Sequence, residues 1–570
     1  MSDHSSGTEG VTVAPRRRLA FVFFVAVTVL YGVLQLGALG HPLLWQDEGE
    51  TAMFGRRILD YGFPKVHGPE GVVYGMSIPL AVGTDPERDA YRGSLWGQYY
   101  VAAIGVAWSE ASDDLNEKTA RVRFPFVLAG LVGLASLLWA FRKELRARSG
   151  TALPSAAVFM LLLCFSTSLQ LHLREARYYG LVVGGVGIAV ALQRSLLDRP
   201  GGFGMWVRSA ALATCLIGLL NIFYPAALAL MGWLLLETVL IAWDSSASVS
   251  GRRQRIGAFA APVMLAALAG VLLAVAFDVA GVAQALSTRW PLGPGLYLEN
   301  LGHLLVFLLR WEFLGLVIVL ELWLAWLGRS RLESNSDRRP GFALLRLAAW
   351  MAFLGAFNPV FFERYFVAIG PLLAMVFVLE GEVLLGDWAG RDRPTRGQTR
   401  IAVWFIALIA LLSLGLRSAE FMGRMREVLS PVSGPVDYAV ATIQAEEMEP
   451  NRLLIATNYE AEPLMFYLGS RVVGRFEPRP DDGVTENAET PDWVIPRRGQ
   501  PKRLEAVRGY LLRGSYEPRR LPIADMPYNA LPELYSGRVL QQTHWFETPL
   551  PGEGRPPLIV YRQPRPSARE

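Results

Sequence analysis

Long runs without charged residues alternate along this chain with short polar segments that are rich in arginine. Ten such runs are uncharged or nearly so, at 19–40, 124–141, 151–173, 178–193, 209–243, 256–277, 303–328, 341–362, 365–385 and 401–416. A helix needs about 20 mainly apolar residues to cross the hydrocarbon core of a bilayer. The pattern therefore predicts a polytopic α-helical membrane protein.

The run 209–243 is too long for one span, because its 35 residues extend to nearly twice the core thickness at about 1.5 Å per residue. The polar break from Asn221 to Pro225 predicts a tight helical hairpin there, which brings the total to about eleven transmembrane helices. The run 19–40 follows a basic segment as a signal peptide would, but it is longer than such a peptide's apolar core and lacks a cleavage site. We interpret it as an uncleaved first span.

Orientation is predicted from arginine in the short loops, since basic residues resist translocation. The clusters fall in alternate loops, at 16–18, 142–148, 194–208, 252–255, 329–339 and 391–400. These loops are expected in the cytoplasm together with the N-terminus. Segment 41–123, the loop around 174–177, the pair Glu363 and Arg364, and the chain after 417 are then expected outside. This topology fits the cytoplasmic (inner) membrane, and we expect a bacterial protein.

Composition supports this class and excludes others. The chain is 52% hydrophobic and 19% charged, with a mean hydropathy of +0.29 over 570 residues, which is too apolar for a soluble protein of this length. Its net charge of +4 comes from basic residues beside the apolar runs rather than in one patch. Nucleic acid is therefore not an expected partner. Membrane lipids are expected partners.

Three regions are predicted from these patterns. Residues 1–417 form a transmembrane module that includes a large first outer loop, 41–123, whose aromatic stretch Trp96 to Trp108 is expected on the membrane surface. Residues 418–570 form an extracytoplasmic domain. Its strand-like pieces at 453–457, 493–496 and 557–562 and its helix-like segment at 462–468 predict a small α/β fold.

Acidic residues follow the first span directly. Asp47, Glu48 and Glu50 lie within six residues of Trp45. Solvated interfacial charge would explain them equally well from position alone. The functional interpretation is a general base or a metal ligand, because neighbouring carboxylates raise one another's pKa when they are desolvated.

Arginines with acids and tyrosines mark three further positions on the predicted outer side. They are Arg174 to Gly180, Glu363 to Tyr365, and Glu117 to Pro125. Interfacial anchoring is one explanation. Anion capture is the other, since a guanidinium group binds phosphate oxygens bidentately. Arg310 and Glu312, inside an apolar run, could assist or could pair with each other.

Motifs of soluble enzymes are missing from the sequence, including a phosphate-binding loop, H-E-x-x-H and C-x-x-C. No cofactor and no metal site is therefore expected, with a divalent cation at the outer acids as the alternative.

The order of these short motifs resembles the GT-C superfamily of membrane glycosyltransferases, in the branch of the protein O-mannosyltransferases and the bacterial lipid A aminoarabinose transferases. The residues that carry the resemblance are Asp47-Glu48 after the first span, Arg56 to Leu59 and Gly62 to Pro64, Ala120 to Pro125, Glu175 to Tyr179, and Arg364-Tyr365 with Pro371. The resemblance covers most of the predicted membrane module.

The resemblance implies a sugar donor on a polyprenyl phosphate, transfer with inversion at the outer face, and a lipid, glycan or protein acceptor. Asp47 would be the general base, and Glu48 or Glu175 would orient the acceptor or the sugar. The residues implied at the donor phosphate are Arg123, Arg177 and Arg364, with Arg174 in reserve and with Tyr178 and Tyr365 beside them.

One motif departs from the family. Val73 to Pro79 stands where many relatives have a Lys-Pro-Pro or His-Pro-Pro element, so that Lys65 is only a candidate for the family's phosphate-binding lysine. Two other classes of function stay open, a polyprenyl-lipid transporter or flippase and a non-catalytic membrane scaffold. Few acidic residues fall in the middle of the spans, which disfavours a transport path.

Overall fold

The computed structural model describes residues 13–75, 78–147, 152–198, 202–243, 249–289, 291, 293–326, 340–358, 361–389, 396–474, 489–498, 502–529, 534–535, 541–542 and 544–564. Much of the predicted cytoplasmic loops, at 148–151, 199–201, 244–248, 327–339 and 390–395, lies outside these residues. The orientation of the chain therefore stays a prediction.

Helices dominate the first three quarters of the chain. They are α1 (Val13–Leu36), α2 (Gln46–Tyr61), α3 (Leu80–Gly83), α4 (Gly97–Ser109), α5 (Leu115–Ala140), α6 (Arg142–Ala147), α7 (Leu153–Cys164), α8 (Thr167–His172), α9 (Tyr178–Asp198), α10 (Phe203–Ile222), α11 (Tyr224–Trp243), α12 (Val249–Ala276), α13 (Val279–Arg289), α14 (Pro294–Arg310), α15 (Leu314–Leu324), α16 (Pro340–Gly355), α17 (Ile369–Ala389), α18 (Arg396–Leu416) and α19 (Ser418–Leu429). A short hairpin, β1 (His67–Gly68) with β2 (Gly71–Val72), lies in the first loop.

Five of these helices, α1, α5, α9, α10 and α12, are long and apolar enough to cross a membrane, among the residues described. Two bent pairs qualify if each counts as one span: α14 with α15, bent by 81°, and α18 with α19, bent by 49°. Four shorter apolar helices accompany them, including α7 and α11. The predicted class, a many-helix membrane protein, is confirmed. The number of eleven spans stays a prediction.

One long apolar run has the break that the sequence predicts, and another has a bend that was not predicted. The predicted break in 209–243 is confirmed, since α10 ends at Ile222 and α11 begins at Tyr224. The run 303–328 was predicted as one span, and its two helices are bent by 81° between Arg310 and Leu314. Arg310 also does not pair with Glu312, because its Nη2 lies 3.1 Å from an oxygen of Glu420.

Helices α5 and α9 cross almost backbone to backbone. A Cβ added at Gly133 would lie 2.3 Å from the carbonyl oxygen of Val183, and one at Gly187 would lie 2.1 Å from that of Gly133. Small residues permit such close approach between membrane helices. The crossing fixes the first turns of α5 against the residues that precede α9.

The first loop places α2 and α4 side by side. Helix α2 ends at Gly62, whose φ of 81° is the left-handed conformation that glycine adopts without strain. On α4, the exposed apolar residues Tyr100, Ile104 and Trp108 recur at helical spacing. The predicted aromatic stretch is therefore a helix with one outward apolar face, which suits a membrane surface.

The C-terminal part, residues 435–564 and here called the tail domain, is a small α/β fold as predicted. Its helices are α20 (Pro435–Glu446), α21 (Ala461–Leu468) and α22 (Leu504–Tyr510), and its strands are β3 (Leu454–Thr457), β4 (Arg471–Val473), β5 (Trp493–Ile495), β6 (Glu517–Ala524), β7 (Leu534–Tyr535), β8 (Gln541–Gln542) and β9 (Pro557–Arg562). The main sheet has the order β4-β3-β5-β9-β6, with β3 parallel to β4 and β5 and with β9 antiparallel to β5 and β6.

The tail domain shares a hydrophobic core with the first loop. One cluster of buried side chains joins Met53 and Phe54 of α2 to Leu464 of α21 and Ile455 of β3. A second cluster fills the space between the membrane helices. Since α2 begins with the acidic motif, the tail domain packs directly against the helix that carries it.

Candidate active site

Three segments that are distant in sequence meet at the first turn of α2. They are residues 45–50, the loop 173–177 between α8 and α9, and the 3-10 turn Glu363–Phe366 before α17. The α5–α9 crossing holds the second segment in place. The meeting point collects most of the acids and arginines that the sequence singled out.

Asp47 is the accessible acid of this cluster. Its side chain is 25% exposed, and its Oδ2 lies 3.5 Å from Nη2 of Arg364 and 3.6 Å from Nη2 of Arg177. These distances are longer than those of a tight charge-assisted hydrogen bond, about 2.7–2.9 Å. The carboxylate is therefore flanked by two cations and still open to a ligand.

Arg177 spans the first turn of α2. Its Nη1 donates to the carbonyl oxygen of Asp47 at 3.2 Å and to the hydroxyl of Thr51 at 3.1 Å, and it lies 4.0 Å from Oε1 of Glu50. Burial alone would lower the pKa of the guanidinium, but the charges of Asp47 and Glu50 hold that pKa well above its usual value. Arg177 is a permanent cation beside Asp47.

Glu48 points away from Asp47 and is fully engaged. Arg123 binds it bidentately, with Nε–Oε1 at 2.8 Å and Nη2–Oε2 at 2.6 Å. The backbone N–H of Ala176 donates to Oε1 at 2.8 Å, and the side chain is 1% exposed. This pair fastens α2 to α5 and to the loop before α9.

Glu175 forms the wall behind Asp47. Its Oε1 lies 2.6 Å from Nδ1 of His172, and its Oε2 accepts from Nε1 of Trp45 at 3.2 Å. Burial and the neighbouring charge of Glu48 raise the pKa of this carboxyl well above its usual value. Its environment therefore favours the protonated form more than water does.

Arg174 and Arg123 turn their guanidinium groups to the backbone at the end of α1. Arg174 donates to the carbonyl oxygens of Gly37 and Ala38 at 3.2 and 2.8 Å, and Arg123 donates to those of Leu39 and Pro42 at 2.9 Å each. Burial lowers the pKa of Arg174 well below its usual value. Neither contacts Asp47, although the sequence predicts both at the donor phosphate.

Arg364 borders an aromatic cluster. Its guanidinium carbon lies 4.5 Å from the centre of the Phe362 ring and 5.4 Å from that of Trp45. The rings of Tyr178 and Phe223 stack at 4.8 Å, and Tyr365 lies 5.5 Å from Phe223. These rings connect the charged cluster to an open cleft, lined by Phe223, Pro225, Ala226, Met351, Gly355, Asn358, Tyr365 and Phe366.

Lys65 lies at the other end of α2. Its Nζ is 4.7 Å from the centre of the Tyr61 ring, and Tyr61 is about 21 Å along the helix from Asp47 at about 1.5 Å per residue. The structure does not bring Lys65 to the site.

Two members of the cluster, His172 and Trp45, were not predicted, and a third, Glu50, was predicted only as one of the acids after the first span. Glu50 lies one helical turn after Asp47 and accepts from the hydroxyl of Tyr99 at 3.1 Å. Its three-residue spacing from Asp47 was the signal, once a helix is assumed. His172 and Trp45 contact Glu175 through the fold, and only the three-residue spacing of His172 indicates its contact.

No group of three or more histidine, cysteine or carboxylate side chains that could hold a metal ion occurs in the described part of the chain. The divalent cation at the outer acids, the alternative from the sequence, stays a prediction.

The fold and this cluster define a membrane protein with a charged site at the mouth of an apolar cleft. No family model matches the chain, and no curated protein matches it in sequence. Among solved structures it is similar to ArnT from Cupriavidus metallidurans bound to undecaprenyl phosphate, at 16% identity and a TM-score of 0.48, over 80% of this chain and 86% of that one.

Two other solved structures are similar. They are arabinosyltransferase EmbB from Mycobacterium smegmatis (16% identity, TM-score 0.43, 71% of this chain and 40% of that one) and the oligosaccharyltransferase of Archaeoglobus fulgidus (11% identity, TM-score 0.42, 88% and 69%). At these identities the similarity concerns the course of the chain alone.

Proposed function

We propose that this protein is a glycosyltransferase that moves a sugar from a polyprenyl-phosphate donor to an acceptor hydroxyl, with inversion, at the outer face of the membrane. The observation that carries the proposal is the position of Asp47: an accessible carboxylate between two arginines, beside an aromatic cleft that opens among membrane helices. A base, an anion site and an apolar groove are the three parts that such a reaction needs.

Asp47 is the general base in this proposal. The acceptor oxygen bonds to the anomeric carbon while its proton passes to Asp47. The bond between that carbon and the phosphate oxygen breaks, and the polyprenyl phosphate leaves with the electron pair. Attack from the face opposite the leaving group inverts the configuration.

Arg364 and Arg177 stabilise the departing phosphate. Both already flank an anionic group, and preorganised charge contributes most where charge develops in the transition state. The small apolar cleft beside Tyr365 marks the side from which the donor's lipid approaches, so that the lipid stays in the membrane while its sugar reaches Asp47.

The remaining predicted residues hold this arrangement in place. Glu48 and Arg123 fix the first turn of α2, and Arg174 satisfies carbonyl groups at the end of α1. Glu175, hydrogen-bonded to His172, orients the sugar or the acceptor.

The test is transfer of radiolabelled sugar from a panel of polyprenyl-phosphate sugars by the protein purified in detergent, with envelope extracts as the source of acceptors. Asp47→Asn should lower the rate by about 100- to 10,000-fold, the usual contribution of a positioned general base. Asp60→Asn, an exposed position on the same helix, is the matched control and should transfer like the wild type. If the wild type moves no sugar with any donor, the proposal fails.

A further inference from the structure

The chain just before α2 is bound by side chains of the tail domain. The N–H of Leu43 donates to Oδ1 of Asp437 at 3.1 Å, and its carbonyl oxygen accepts from Nδ2 of Asn529 at 2.8 Å. The N–H of Leu44 donates to the hydroxyl of Tyr467 at 3.0 Å. The backbone N–H groups of Leu43 and Leu44 and the carbonyl group of Leu43 are therefore all bound by side chains of the tail domain.

The first turn of α2 continues the same interface. The side-chain amide of Gln46 donates to the carboxylate of Glu462 on α21, and both side chains are at most 2% exposed. A Cβ added at Gly49 would lie 2.5 Å from Cδ of Pro463. Helix α21 thus rests on the α2 backbone without an intervening side chain.

Asp47 lies between these two contacts, and few interactions hold its own side chain. Its carboxylate has two cations at 3.5 and 3.6 Å and is 25% exposed. Its place is therefore determined mainly by its backbone. The residues on either side of it, Gln46 and Gly49, are the ones that α21 fixes.

We propose that the tail domain positions Asp47, and that Glu462 is the positioning residue through its hydrogen bond to Gln46. The proposal rests on the proposed function, in which Asp47 is the base. A displacement of about 1 Å at a reacting group can cost about 100-fold in rate, so small movements of this turn suffice to change turnover.

The experiment compares three variants of the full chain. Glu462→Ala removes the acceptor for Gln46, whereas Glu462→Gln retains an oxygen at the same place. Glu447→Ala is the matched control, because Glu447 is a buried tail carboxylate that accepts from Trp493 at 3.2 Å and from Arg562 at 3.0 Å, both of them in the main sheet. Each variant is measured for kcat, donor KM and the fraction of folded protein.

Glu462→Ala should lower kcat by about 10- to 100-fold per folded molecule with donor KM unchanged, because the base moves and the cleft does not. Glu462→Gln should recover most of the rate. Glu447→Ala should lower the folded fraction and leave kcat per folded molecule unchanged. If Glu462→Ala and Glu447→Ala both lose activity only in proportion to the folded fraction, Glu462 is merely structural and the proposal is overturned.

Hydrogen–deuterium exchange gives a measurement that needs no turnover. Amide exchange in residues 43–51 should become at least about tenfold faster in Glu462→Ala and stay at the wild-type rate in Glu447→Ala. Faster exchange with an inactive wild type would contradict the proposed function and leave the fixing of this turn supported. Unchanged exchange and unchanged kcat in Glu462→Ala would overturn the positioning proposal while the proposed function stands.

Discussion

Two clusters of charged side chains differ in how completely the hydrogen-bonding groups within each cluster are paired. In the tail domain, Arg497 donates to Asp525 at 3.0 Å and to the carbonyl oxygen of Met526 at 2.6 Å, and it also pairs with Glu460. The Arg497 side chain is 3% exposed. Around Asp47, by contrast, the flanking arginines stand 3.5 Å or more from a carboxylate that is 25% exposed.

The difference separates a structural ion cluster from a chemical one. A buried network whose donors and acceptors are all used has no capacity left for a ligand, and removing one partner leaves a buried charge unpaired. A loosely flanked, accessible carboxylate retains that capacity. Completeness of hydrogen bonding, more than the number of charges, identifies the site.

Arg177→Ala is the sharpest way to test this distinction. Loss of the cation should lower kcat by about 100- to 1,000-fold, the effect of removing one preorganised charge from a transition state. The melting temperature should fall as well, because Glu50 and the first turn of α2 lose a buried partner, so turnover is compared per folded molecule. The measurement is steady-state transfer together with thermal unfolding.

Arg497→Ala is the control from the other cluster. It should destabilise the protein by about 3–5 kcal/mol, since Glu460 and Asp525 lose their buried partner. Transfer per folded molecule should fall far less than in Arg177→Ala, because Arg497 reaches Leu43 only through Glu460 and Asn529. The comparison breaks down if Arg177→Ala retains its turnover per folded molecule, or if Arg497→Ala loses as much turnover as Arg177→Ala does.

Glu175→Gln tests the raised pKa of the Glu175 carboxyl through the pH dependence of protein stability. The folded protein holds the proton of Glu175 more tightly than the unfolded chain does, because its pKa is raised well above the ordinary 4.5. This contribution to stability is fully present below pH 4.5 and is lost as pH rises through the raised value. Glutamine carries no such proton, so the variant should gain stability relative to the wild type as pH rises above 4.5.

Thermal unfolding of both proteins at several pH values measures this effect. The variant keeps an oxygen for Trp45 and an N–H for His172, so that the contacts of the wall are retained. A melting-temperature difference that does not change with pH would show that Glu175 ionises in the folded protein as it does in a peptide.

Lys65→Ala should have the smallest effect. Its contact with the Tyr61 ring is worth about 0.5–1 kcal/mol at an exposed site. Donor KM should be unchanged, since the side chain lies at the far end of α2. A tenfold rise in donor KM would instead show that Lys65 contributes to binding the donor phosphate.

The sequence predicts the parts of the fold that depend on local pattern. Uncharged runs identify the helices, and the polar break before Pro225 identifies the turn between α10 and α11. The bend in 303–328 contains no proline, and its signals in the sequence were the charges of Arg310 and Glu312 and the glycine at 315. Strand β6 was missed because Pro518, Arg519 and Arg520 give its exposed half a polar, loop-like sequence.

The candidate site was predicted in composition and only partly in geometry. Asp47, Arg177 and Arg364 do meet. Arg174 and Arg177 stand in the same short motif, yet one binds backbone carbonyls and the other flanks Asp47. Which way a guanidinium turns depends on the carbonyl groups that the fold leaves without partners, and those come from α1, more than 130 residues earlier.

The order of the tail sheet has a consequence for how this protein can be divided. In open α/β sheets the crevice where strand order reverses, here between β3 and β5, is the usual place for a small ligand. In this chain Glu460 and Arg497 fill that crevice, and from it Asn529 reaches Leu43. This edge of the sheet therefore holds the segment before α2 in place of a small ligand. A chimera that exchanges the chain from residue 418 onward must therefore exchange residues 43–49 as well. Otherwise the contacts between this segment and the tail domain are lost.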